Sequence, residues 1–121
     1  MVFGDDSEGD FYCLETYDDY DPYAWVSFDF EIKYNVIRID FLPWDDQYSS
    51  NVSIANVNIS IGDHFCAKTP REDLIDAGVW NTIYCESDDL EGDYIKLYRD
   101  YRNDLKLCGL RVWGVCNVDL E

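Results

Sequence analysis

Five cysteines in a 121-residue chain constrain the fold more than any other feature. Cys13, Cys66, Cys85, Cys108 and Cys116 each lie in sequence patterned for strands. No two form a C-x-x-C, and the only histidine, His64, stands two residues before Cys66. Structural zinc needs four soft ligands at short paired spacings, which this chain lacks. A disulfide framework is the economical reading, and it places the protein in an oxidising compartment.

The length corresponds to one domain over residues 1–121 with enough chain to bury a real core. A 47% hydrophobic and 17% aromatic content separates it from disordered acidic tails. The formal charge of −17 argues against nucleic acid, whose phosphates demand a basic footprint, and against anionic membrane surfaces. An acidic surface suits calcium, which takes hard oxygen ligands, and serves equally to keep a protein soluble. No apolar run approaches the roughly 20 residues of a membrane-spanning helix. The sequons Asn51-Val52-Ser53 and Asn58-Ile59-Ser60 favour the secretory route. Met1 to Asp6 turns acidic at once and does not read as a signal peptide, so secretion implies that a longer sequence precedes it.

Residues 1–23 form an acidic, tyrosine-rich opening. Short alternating runs follow. Trp25–Phe30 sets Val26, Phe28 and Phe30 on one face, and Val36–Leu42 sets Ile37, Ile39 and Phe41 together. Residues 43–51 read as a loop. The apolar phase of Val52–Ile61 flips between Ile54 and Val57, which signals a bulge or turn. Gly62-Asp63 ends that run, and 67–78 reads as a loop with one helical turn from Pro70. Val79–Cys85, Asp93–Tyr98 and Leu105–Val115 complete the strands. Many short strands with little helix predict an all-β antiparallel sandwich or jelly roll. Its core is expected to hold Trp25, Phe28, Phe30, Ile37, Ile39, Phe41, Val57, Ile59, Ile61, Ile95, Leu97 and Val112.

The order of these runs resembles discoidin and fucolectin-type domains. Tyr23-Ala24-Trp25-Val26-Ser27-Phe28-Asp29-Phe30 is similar to the family's W-W-x-V-D-L strand. Tyr34-Asn35-Val36-Ile37-Arg38-Ile39-Asp40-Phe41 and Asn56-Val57-Asn58-Ile59-Ser60-Ile61-Gly62 look like its next two strand motifs. Trp80-Asn81-Thr82-Ile83-Tyr84-Cys85, Gly92-Asp93-Tyr94-Ile95-Lys96-Leu97 and residues 105–114 look like the last three. The resemblance spans roughly residues 9–115. It implies a galactose-binding-domain-like jelly roll with disulfides Cys66–Cys85 and Cys13–Cys108, leaving Cys116 over. It also implies that the family's opening strand lies before Met1 or is supplied by another segment.

In fucolectin-type sites a histidine two residues after the first cysteine and two arginines from a later loop hold the sugar. Here Glu15 takes the histidine's place, and Pro43-Trp44-Asp45-Asp46-Gln47-Tyr48 contains no arginine. A different glycan site remains chemically reasonable, with Trp44 and Tyr48 stacking while Asp45, Asp46 and Gln47 hydrogen-bond hydroxyls. Family calcium sites involve the opening loop, where Asp5, Asp6, Glu8 and Asp10 offer oxygens. The acidic residue usual after the last family cysteine is here Gly109. The pair Asp63-His64 could imitate a base and its orienting carboxylate, but no nucleophile signature accompanies it, and catalysis is not expected. The expected function is a secreted or cell-surface lectin-like module that binds carbohydrate or glycoprotein in adhesion. The competing reading is a structural module whose loops and tyrosines contact neighbouring chains in an extracellular assembly.

Overall fold

The computed structural model describes residues 2–3, 14–16, 23–43, 54–76, 78–87, 90–100 and 105–116. The strands are β1 (Val2–Phe3), β2 (Leu14–Thr16), β3 (Trp25–Leu42), β4 (Asn58–Ile61), β5 (His64–Lys68), β6 (Asn81–Tyr84), β7 (Leu90–Tyr98), β8 (Leu105–Leu107) and β9 (Gly109–Cys116). All pairings are antiparallel. The principal sheet runs β1-β9-β3-β7-β4-β5, with β6 also on β3, and β2 pairs with β8 separately. The all-β antiparallel sandwich expected from the sequence is the fold observed.

The long strand β3 organises this arrangement. β9 holds one edge of it from Tyr34 to Leu42, so β7, along 25–36, and β6, along 38–41, share the other edge. β3 thus begins in the half containing β7, β4 and β5 and ends in the half containing β9 and β6. Its change of direction falls between Asp29 and Tyr34, where the register with β7 shifts and Glu31 takes a positive φ of 74°. Such a residue is uncommon in a strand and marks a bulge that re-aims the chain. The two predicted runs at 25–30 and 36–42 are therefore one strand.

Cys66 in β5 is bonded to Cys85, just after β6, with 4.4 Å between their Cα atoms, and the Cys85 amide donates to the Ile37 carbonyl of β3. Beside it the Glu86 amide donates to the Cys66 carbonyl at 2.8 Å. One covalent bond and one hydrogen bond join the two edge strands there.

The core contains Phe30, Ile39, Phe41, Val57, Ile59, Ile61, Ile95, Leu97 and Val112, as the alternation predicts, with Phe28 packed partly against it. Ile37 is the exception, at 51% exposure, while its neighbour Val36 is fully buried. Val36 pairs with Gly114 and Arg38 with Trp113, so Ile37 is an extra residue that inverts the phase of β3. Trp25 also departs from expectation. It is half exposed, and Lys96 lies 5.1 Å above its ring, so the indole covers a cation rather than the core.

The phase flip at 54–57 is a turn, with Asn56 at φ 55°. Thr69 fastens it, accepting from the Val57 amide and donating to the Ile54 carbonyl at 2.6 Å. β5 was not expected; it pairs with β4 across the Gly62-Asp63 turn. The helical turn after Pro70 is a 3-10 turn over Glu72–Leu74. β7 begins three residues earlier than expected, at Leu90. The run 105–115 is split at Cys108, whose amide donates to the Leu42 carbonyl.

Candidate functional site

The outer face of β9, β3 and β6 is where the described side chains converge. Register sets Trp113, Arg38 and Tyr84 in one row, and Arg111, Asp40 and Thr82 in the next. These residues alternate with the buried Ile39 and Phe41 along β3, so they point away from the core.

Asp40 lies at the centre and is only 2% exposed. Arg38 grips its carboxylate with both arms, Nε to Oδ1 at 2.9 Å and Nη2 to Oδ2 at 2.8 Å. Thr82 Oγ1 donates to Oδ1 at 2.8 Å, and the Trp113 indole Nε1 donates to Oδ2 at 2.9 Å. Burial alone would push the Asp40 carboxyl up. The hydrogen bonds from Arg38, Thr82 and Trp113, together with the Arg38 charge, outweigh it and hold the group below its ordinary value. Asp40 is therefore an ionised anchor with both oxygens occupied.

The anchor fixes what surrounds it. Arg38 also stacks 5.3 Å from the Trp113 ring centre, yet 41% of its side chain stays exposed. Trp113 is 48% exposed and Tyr84 63%. Further along the face, Arg111 lies 3.8 Å over the Trp80 ring. Trp113 also walls a small cavity of about 190 Å³ with Phe30, Tyr34, Val112 and Gly114. Phe30 and Tyr34 meet there edge to face, 5.6 Å between centroids. The arrangement offers a fixed aromatic surface beside fixed N–H donors.

The residues singled out in the sequence fare differently. Trp44, Asp45, Asp46, Gln47 and Tyr48 lie outside the described residues, as do Asp5, Asp6, Glu8, Asp10 and Asn51. Glu15 stands in β2 opposite Lys106 of β8, and not on the β9–β3–β6 face. Asn58, the second sequon asparagine, lies in β4. It is 8% exposed, between β5 and β7. Cys108 is disulfide-bonded, and its implied partner Cys13 lies outside the described residues. Gly109 packs under Trp80: a Cβ there would come within 2.6 Å of the tip of the Trp80 ring, which would have to shift. Among the described residues no cluster of acidic, histidine or cysteine side chains could hold a metal ion. Asp63 accepts from the Tyr94 hydroxyl at 2.8 Å, so its carboxylate is engaged by Tyr94 beside the exposed His64. No helix among the described residues is long and apolar enough to cross a membrane.

Comparison with solved structures matches the chain to a fucolectin from striped bass (Morone saxatilis) serum, with a TM-score of 0.68 and 21% identity over 84% of this chain. The chain has the fucolectin-type fold. A fucose-binding module from Streptococcus pneumoniae matches with a TM-score of 0.60 and 15% identity, again over 84% of the chain. The chain spans 36% of the length of the striped bass protein and 72% of the pneumococcal one. No family model matches the sequence, and no curated protein does. At these identities it is the fold that is shared.

Proposed function

We propose that this chain is a non-catalytic, lectin-like module that binds carbohydrate or glycoprotein outside the cell, in adhesion. The observation that carries this reading is the fold, common over 84% of the chain to a fucolectin and a fucose-binding module. The Cys66–Cys85 bridge and a neighbour isolated from serum support an extracellular setting. Glu15 and the arginine-free segment 43–48 speak against fucose held by loop cations, so the ligand is a glycan recognised by other means. The test is a glycan array probed with the oxidised protein. Concentration-dependent binding to a defined glycan, competed by the same sugar in solution, is the expected result. Absence of binding across the array would reject the reading.

One observation favours the structural alternative. Ile37 and Val115 are exposed close to Trp113 and Tyr84, and an aromatic and arginine patch extended by aliphatics suits a protein partner. Light scattering across a concentration series separates the two, since an assembly module associates and a monovalent lectin stays monomeric.

A further inference from the structure

We propose that the Trp113–Arg38 corner of the β9–β3–β6 face is itself a saccharide subsite, and that it takes one neutral pyranose ring. This rests on the lectin-like reading and adds the place and the ligand class. The indole offers a half-exposed apolar face, and its orientation is fixed because Nε1 is bonded to the buried Asp40. Sugar rings present an apolar face of C–H groups edged by hydroxyls, which suits a rigid amphipathic aromatic.

Arg38 stands over part of that ring, its guanidinium carbon 5.3 Å from the centroid. A guanidinium carries five N–H groups. Two are engaged on Asp40, leaving three in a plane held by the bidentate grip. They can donate to ring or hydroxyl oxygens, and the Tyr84 hydroxyl in the same row can both donate and accept. Asp40 does not reach the ligand, since its oxygens already accept four hydrogen bonds; it is a positioning residue.

Charge selects the class of sugar. Asp40 neutralises Arg38 at contact distance, and the chain as a whole carries −17. A sialylated or sulfated glycan would approach a repulsive net field, and the cation at this corner, Arg38, already faces Asp40. A neutral ring meets no such barrier.

The experiment uses the oxidised chain and the neutral glycan that binds best on an array carrying neutral, sialylated and sulfated glycans. In wild-type protein labelled with nitrogen-15, the Trp113 indole N–H resonance is identified by its loss in Trp113→Phe and followed during titration. It is expected to shift saturably. Trp113→Ala should bind at least tenfold more weakly, and Arg38→Lys, which keeps the charge on Asp40 but loses the planar fork, several-fold more weakly. If a glycan binds but the indole resonance stays still and both folded variants bind like wild type, the subsite is wrong while the lectin reading stands. If no glycan binds, both fall. A preference for acidic glycans overturns the neutral assignment. An indole shift driven by protein concentration alone makes the face a self-association surface and overturns the subsite.

Discussion

Trp113 and Asp40 meet diagonally across the β9–β3 ladder, the indole Nε1 donating to a carboxylate oxygen 2.9 Å away. Because Arg38 and Thr82 bind the same carboxylate, one acidic residue on a central strand sets the positions of side chains from three strands. That bond ties the exposed face to the pH dependence of the fold.

Asp40→Asn should destabilise the protein at neutral pH by about 1–3 kcal/mol, the range for disturbing a buried, charge-assisted network, and Arg38 can rehydrate because it is partly exposed. The folded Asp40 titrates below its unfolded value of about 3.9, so its contribution is complete above that pH and is lost as pH falls through the folded value. Urea unfolding of both proteins at pH 7 and near pH 3 should show the gap closing at acid pH. A gap of equal size at both would mean that ionisation of Asp40 does not matter.

The extra residue at Ile37 makes two isoleucines two positions apart, Ile37 and Ile39, inequivalent. Ile39→Ala should cost about 2–5 kcal/mol as a core truncation, while Ile37→Ala should change stability by no more than about 0.5 kcal/mol. Thermal melts of the two variants decide it. Equal losses would put Ile37 back in the core and remove the bulge.

Gly114 sits against the Asn35 backbone, where an added Cβ would collide with the carbonyl oxygen. Backbone cannot step aside as a flexible side chain can. Gly114→Ala should therefore cost about 1–3 kcal/mol and disturb the cavity beside Trp113. A stability indistinguishable from wild type, measured by denaturant unfolding, would contradict this close approach.

Cys66 and Cys85 close a loop of sequence separation 19, and their replacement by alanine should lower stability by about 3 kcal/mol. Non-reducing peptide maps should join Cys108 to Cys13. Cys116 stands at the far end of β9, eight extended residues or about 26 Å away, well beyond the roughly 7 Å a disulfide permits. A peptide linking Cys108 to Cys116 would refute the register of β9.

Much of this fold was legible because alternation is a strong signal where one face of a strand is buried. Ile39, Phe41, Ile59, Ile61, Ile95 and Leu97 announced their orientation. Alternation carries no mark for an inserted residue, and an isoleucine at the bulge completes the false pattern of 37, 39 and 41. β5 was overlooked because His64, Phe65 and Lys68 are exposed and show no buried face, although the two-residue Gly62-Asp63 turn after Ile61 is a hairpin signal. The face around Asp40 was missed for another reason. Arg38, Thr82 and Trp113 are far apart in sequence, and only pairing brings them together. A carboxylate between Ile39 and Phe41 in a central strand was the available hint.

The sandwich has a spine and a clasp. β3 is the spine, a single strand serving both halves, and the Cys66–Cys85 bond is the clasp that ties β5 to the end of β6. Reduction cuts the clasp and leaves the pairing of the spine with β6, β7 and β9 in place. The Trp113–Arg38 corner is built on that spine and its neighbours β9 and β6, and through Tyr84 it lies one residue from the clasp.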